Sequence, residues 1–220
     1  TERSILILIA LGSWFWFHPP LEVMATLSFE WVGFLYLRNM ILMLFVAGCL
    51  HLFFYSLQKQ GQKLRYDSRE LKALQKNFLF KNQVHDNMFW SLASGVTIWT
   101  LYEVLMFWAM ANGYAPVLLW ADHPVWFVII TLLTPIWISF HFYWVHRWLH
   151  WPPLYHIAHA LHHKNTNVGP WSGLSMHPVE HIIFFSGILI HFIVPASPFH
   201  IIFHMKHQSL VTHQIFQIHE

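Results

Sequence analysis

Residues 125–150 read VWFVIITLLTPIWISFHFYWVHRWLH, an uncharged apolar stretch running straight into two histidines four residues apart. The part from 125 to 145 is long enough to cross a hydrocarbon core of ~30 Å at ~1.5 Å per residue, with Pro135 predicting a kink. It delivers His146 and His150 to one end. A helix puts residues three and four apart on one face, so the two imidazoles form a claw. A second claw follows in His159-Ala-Leu-His162-His163, and Pro152-Pro153 between them breaks the helix so that the claws turn toward each other. Neutral imidazole is the commonest protein metal ligand, and it suits iron, zinc, copper and nickel. The expected architecture is all-α: a multi-pass transmembrane helical bundle with a cytosol-facing, histidine-rich helical cap.

Outward from this stretch the chain alternates between apolar runs and polar connections. Residues 4–17 (SILILIALGSWFWF) are shorter than a full span and end at His18-Pro19-Pro20. Residues 18–38 form a mixed linker, and 39–57 are an uncharged run of spanning length. Residues 58–87 carry seven Lys/Arg against three Asp/Glu, which predicts a cytoplasmic loop; Arg38, at the opposite end of the preceding span, counts against that orientation. The next span, 88–111, contains Glu103. Two readings of it stand side by side: a functional intramembrane carboxylate, or a protonated or hydrogen-bonded one facing other helices. The connection 112–124 has no Lys or Arg, as expected for the far side. Parity then returns the chain to the cytoplasmic side at His146. Residues 146–181 read as amphipathic, with Trp148, Trp151, Tyr155 and Trp171 as interfacial anchors. Residues 182–194 are too short to cross, and 195–198 (PASP) turn the chain back. This predicts a hairpin that dips into the bilayer and returns His219 to the cytoplasmic edge. The organisation expected is residues 1–145 as transmembrane helices with the basic loop, and 146–220 as the histidine region. The start at Thr1 without Met and the end at Glu220 read as cut ends of a longer protein.

Composition narrows the chemistry. The chain is 56% hydrophobic and only 10% charged, where a soluble domain carries about 25% charged residues. A formal charge of +2 gives no electrostatic support for a nucleic-acid partner. The single cysteine, Cys49, excludes an internal disulfide and any thiolate cage, so metal must be bound by nitrogen, with or without oxygen. Fifteen of the 19 histidines fall between 141 and 219. Five converging imidazoles exceed the four ligands of a closed zinc site, which favours two metals or one with open positions. Two rivals belong to other classes. A bis-histidine haem electron carrier would place its His pairs midway along two spans, and a non-catalytic metal-binding or transport protein would line several spans with ionisable residues.

The run VHRWLHWPPLYHIAHALHHK (145–164), followed by His177-Pro-Val-Glu180, resembles a hallmark of the fatty acid hydroxylase/sterol desaturase superfamily. The likeness is specific over about 137–181 and looser out to 219. It implies a membrane enzyme whose histidine boxes hold two iron ions. Such enzymes use O₂ and two electrons from cytochrome b5 or a ferredoxin to hydroxylate or desaturate a lipid, either sterol or fatty acyl. Carried onto this chain, it makes His146 and His150 the first box and His159, His162 and His163 the second. His219 resembles the lone histidine before a third box, and His177 a ligand or a group behind one. Glu180 would orient an imidazole, and His156 would stand behind the ligands. His141, His181 and His213 are expected to be structural or interfacial, and His191, His200, His204 and His207 belong to the hairpin. No catalytic residue is implied beyond the metal ligands. The family's further HxxHH box does not occur before Glu220, in line with a fragment. The membrane implied is a bacterial inner membrane or the endoplasmic reticulum.

Overall fold

A computed structural model describes residues 2–59, 71 and 76–215. Its described residues are helical, with a single isolated bridge between Val117 and Ala196 in place of any sheet. The first helix, α1 (Glu2–Trp16), stops before His18-Pro19-Pro20, where proline cannot continue it. Helix α2 (Phe29–His51) runs on through a π-helical turn at Leu52–Ser56. One rod joins α3 (Gln83–Phe89), a π-helical stretch at Trp90–Val96 and α4 (Thr97–Ala111). Asn82 starts it by accepting the backbone N–H groups of Val84 and His85. Helix α5 (Pro124–Leu149) opens on Pro124, whose missing N–H costs nothing in the first turn, and continues through Pro135.

The rods Phe29–Ser56, Gln83–Ala111 and Pro124–Leu149 are each long and apolar enough to cross a membrane. Their outward faces match that reading. On α5, Val125, Leu132, Ile136 and Phe140 are exposed, and on α2 so are Leu37, Ile41 and Phe45. Such continuous apolar surface is unfavourable against water and neutral against lipid. The spans begin earlier or end later than the apolar runs alone predict: α2 starts at Phe29 rather than 39, and α5 carries His146 in its last turn.

The remaining elements fold onto these rods. Helix α6 (Pro152–Ile157), a 3-10 turn at His159–Lys164, and α7 (Pro178–Phe185) with its 3-10 extension Ser186–Phe192 are all too short to cross. The chain turns at 195–198, held where Ala196 accepts the Leu118 N–H at 3.0 Å. Helix α8 (Pro198–Ile215) then runs through the middle of the bundle against α1, α4 and α5. Every residue from Phe199 to Leu210 is buried, so the second arm of the hairpin is core.

Three bonds fix which ends lie together. Tyr55 donates to the Val168 carbonyl at 2.9 Å, Gln83 to the Asn167 carbonyl at 2.8 Å, and Ser91 to the Trp171 carbonyl at 2.9 Å. The end of α2, the start of α3 and the end of α5 therefore share one end of the bundle with residues 146–176. At the other end Asn112 donates to the Ala25 carbonyl at 3.0 Å.

The interior holds an ionic cluster. Glu103 is fully buried and accepts from the Arg38 guanidinium, from Asn39 at 2.9 Å and from Trp99 Nε1 at 3.0 Å. Arg38 also donates to the Phe17 carbonyl at 3.1 Å, which ties the end of α1 to α2. Lys206 of α8, fully buried as well, places Nζ 5.2 Å from the centre of the Trp99 ring. Glu103 is thus the hydrogen-bonded carboxylate facing other helices. Arg38, expected in a linker, is a helix-interior residue whose charge is met by Glu103.

Candidate metal centre

The i, i+4 spacing on the last turns of α5 puts His146 and His150 side by side, with their Nε2 atoms 3.1 Å apart. The second pair arrives by a different local structure from the α-helix the spacing predicts. Residues His159–Lys164 form a 3-10 turn after a break at Ala158. In it His159 and His163 bring their Nε2 atoms to 3.0 Å. Together the four offer ligand atoms that all lie within 4.8 Å of one another. The ring of His159 lies 4.8 Å from those of both His146 and His150.

This geometry can be tested against an ion. Two nitrogens each ~2.1 Å from one transition metal lie about 3.0–3.4 Å apart. The two measured Nε2 separations fall in that range. Nitrogen lone pairs facing one another repel unless a proton or a cation sits between them, so the donor set fits a metal.

Behind the four stands a carboxylate. His159 Nδ1 lies 2.8 Å from Glu180 Oε1, in the first turn of α7. An Nδ1–H donated there leaves Nε2 bare and aimed at the cluster, the arrangement by which outer groups orient metal-bound imidazoles. Burial pushes the Glu180 carboxyl well above the usual range, and burial with the neighbouring His150 lowers His159 to about 4. Both members lean neutral, and a cation on Nε2 would strengthen the Nδ1–H as a donor and draw Glu180 toward carboxylate.

The other expected residues are placed as follows. His162 is buried next to the cluster, its ring 5.8 Å from that of His159, with Nδ1 3.3 Å from the Ser175 carbonyl; burial lowers it to about 3. It is not one of the converging four. His177 accepts the Val179 N–H at the start of α7 and lies near Trp90, also outside the four. His219 lies outside the described residues. His156 is exposed on α6, which ends before His159. His141 pairs with Ser186 at 3.1 Å, and His181 with Ser94 at 2.9 Å and the Leu174 carbonyl at 3.1 Å; both are structural. His213 carries no described side chain. Of the hairpin histidines, His191 and His204 pair at 3.2 Å and His200 bonds Ser197 and the Phe127 carbonyl.

The sequence reading missed Tyr155. Expected as an interfacial anchor, it instead has its ring 5.9 Å from His150, 6.0 Å from His159 and 5.6 Å from His163.

A family model described as fatty acid hydroxylase matches residues 131–219. The Delta(7)-sterol 5(6)-desaturase of Candida albicans is 32% identical over 78 residues, covering 36% of this chain and 20% of that protein. The Candida glabrata protein of the same description is 28% identical over 131 residues, 58% of this chain and 35% of the relative. A putative Delta(7)-sterol-C5(6)-desaturase of Arabidopsis thaliana is 30% identical over 115 residues, 49% of this chain and 40% of the relative. In these matches the chain spans between about a fifth and two fifths of its relatives' length. No solved structure matches it.

Proposed function

We propose, from the match of residues 131–219 to the fatty acid hydroxylase family and the likeness of the chain to sterol desaturases, that the chain is the metal-holding part of a membrane-bound oxidoreductase that hydroxylates or desaturates a lipid C–H bond. The observation that carries the reading is the convergence of four imidazoles, from α5 and from the 3-10 turn, at one end of an apolar bundle. His146, His150, His159 and His163 hold one iron ion, and His162, His177 and His219 supply ligands to a second. Iron with open positions supplies the O₂-activating chemistry that an unactivated C–H bond requires, with two electrons from a donor such as cytochrome b5 or a ferredoxin.

The chain's own residues do the rest. Glu180 fixes the tautomer and orientation of His159. Tyr155 packs among the rings of three ligands and covers them on one side. The exposed Trp144, Trp148 and Trp151 set the depth of the centre at the lipid headgroups. A lipid tail reaches it from the bilayer while the reductant docks from water. The substrate to test first is a sterol, after the relatives' descriptions, with a fatty acyl chain second. The membrane is the endoplasmic reticulum or a bacterial inner membrane, with the histidine end on the cytoplasmic side; most of the basic loop that sets this orientation lies outside the described residues.

The test is lipid product analysis by mass spectrometry on the full-length protein loaded with iron and supplied with O₂ and a reductant. Loss of two hydrogens or gain of one oxygen is expected. An intense Soret band in the purified protein would favour the haem rival, and metal binding without any lipid product the transport rival.

A further inference from the structure

A cleft of about 520 Å³ opens beside the metal centre, lined by Lys76, Lys81 and Lys164 with Asp86 and Trp90. Its position is set by three elements: the loop before α3, the first two turns of the rod Gln83–Ala111, and the end of the 3-10 turn that carries His159 and His163. The only carboxylate in the lining is already engaged. Asp86 is buried, its Oδ1 accepts the Leu79 N–H at 2.9 Å, and its charge acts on Lys164, so one carboxylate stands against three lysines. All three lysines are exposed, and none enters an ion pair among the described residues. The cleft therefore presents a net positive concavity wide enough for a phosphate group.

Its surroundings decide what brings the phosphate. Leu79 is 65% exposed and Phe80 48%, on the same loop as Lys76 and Lys81. Large apolar side chains on the rim of a basic cleft are unfavourable in water. At the boundary of a bilayer they are favourable, because they sink toward the acyl chains while the lysine stems reach back to the headgroups. The cleft also lies where a membrane-crossing rod begins, with Trp90 in its wall, and aromatic residues of that kind settle at headgroup depth. A soluble acidic protein would meet the lysines and leave Leu79 and Phe80 unaccounted for.

We propose that this cleft binds the phosphate-bearing headgroup of an anionic phospholipid, with Lys76, Lys81 and Lys164 as its charge partners and Leu79 and Phe80 seated among the acyl chains. The site needs no metal, so it stands or falls separately from the oxidoreductase reading. Held there, the lipid fixes the loop that adjoins the second histidine pair.

The experiment is lipid retention measured by native mass spectrometry on the full-length protein. The protein is placed in mixed micelles of phosphatidylcholine with phosphatidylserine or phosphatidic acid, with iron content read in parallel. Selective, salt-sensitive retention of the anionic lipids is expected. The double variant Lys76→Gln/Lys81→Gln should retain them roughly 30-fold less well, about fivefold per lysine, with iron content unchanged. Lys76→Arg/Lys81→Arg should keep the retention, which separates loss of charge from loss of fold. Leu79→Ser/Phe80→Ser should weaken it also. Equal retention of phosphatidylcholine and anionic lipid would overturn the proposal. So would competition by millimolar inorganic phosphate as effective as by lipid, or wild-type affinity in the glutamine variant. Loss of binding to an acidic electron-donor protein in that variant, with lipid retention intact, would assign the cleft to the donor instead.

Discussion

Two regions of this molecule collect ionisable side chains, and they do it in opposite ways. In the bundle interior a carboxylate faces a guanidinium. Glu103 meets Arg38, with Asn39 and Trp99 filling its remaining acceptor positions. At the histidine end, nitrogen faces nitrogen, with Nε2 pairs at 3.0 and 3.1 Å. In the first, the carboxylate and the guanidinium close on each other. The second closes only through a proton or a cation placed between the nitrogens. Clustering of polar groups inside an apolar protein is therefore not by itself a mark of a site; what matters is whether the charges and lone pairs already close on one another.

The difference predicts opposite responses to truncation. His146→Ala or His159→Ala should abolish iron retention at the four-histidine cluster and take lipid oxidation below detection. Thermal unfolding in detergent should barely move in His146→Ala, whose ring is half-buried, and should fall further in His159→Ala, whose ring is buried against Glu180. Glu103→Ala should do the reverse: a loss of about 3–5 kcal/mol, from leaving a buried guanidinium unpaired, with iron content per folded molecule unchanged. The double replacement Arg38→Met/Glu103→Leu should recover most of that loss. Recovery would show that the pair is structural; continued loss of activity in the refolded double variant would move Glu103 into the site.

Glu180→Gln sharpens the comparison, because Glu180 belongs to both kinds of chemistry. A glutamine keeps the shape and one acceptor but cannot become a carboxylate, so iron affinity should fall about 10- to 100-fold, read by chelator competition, while folding is retained. A further change follows from acid. His181 is buried between Ser94 and the Leu174 carbonyl, and burial lowers it to about 3 from an ordinary value of 6.5. The unfolded chain then binds the extra proton first. The stability from keeping His181 neutral is fully present above about pH 6.5 and falls as pH drops toward 3, by up to about 1.4 kcal/mol per pH unit. Acid titration of unfolding in wild type and His181→Gln measures it, and the variant should show the shallower slope.

Much of this was legible along the chain. Spans of uncharged residues and a four-residue histidine spacing are local signals, and α5 with His146 and His150 forms as they predict. What escaped is what depends on distant partners. Arg38 ends the uncharged run at 39–57, yet α2 continues back to Phe29 because Glu103, from another rod, meets that charge. The second pair was legible as a cluster but not as a 3-10 turn, since a four-residue spacing points to an α-helix. Tyr155 was read by its type, whereas its place among the imidazoles depends on how the chain leaves the proline pair.

The most direct measurement of the central claim is X-ray absorption at the iron edge of the purified full-length protein, compared with His146→Ala/His150→Ala. The account predicts a nitrogen shell at about 2.1 Å with the outer-shell scattering of imidazole rings, reduced in amplitude in the double variant. A protein that retains no metal would contradict it, as would a shell without imidazole scattering that is the same in both proteins.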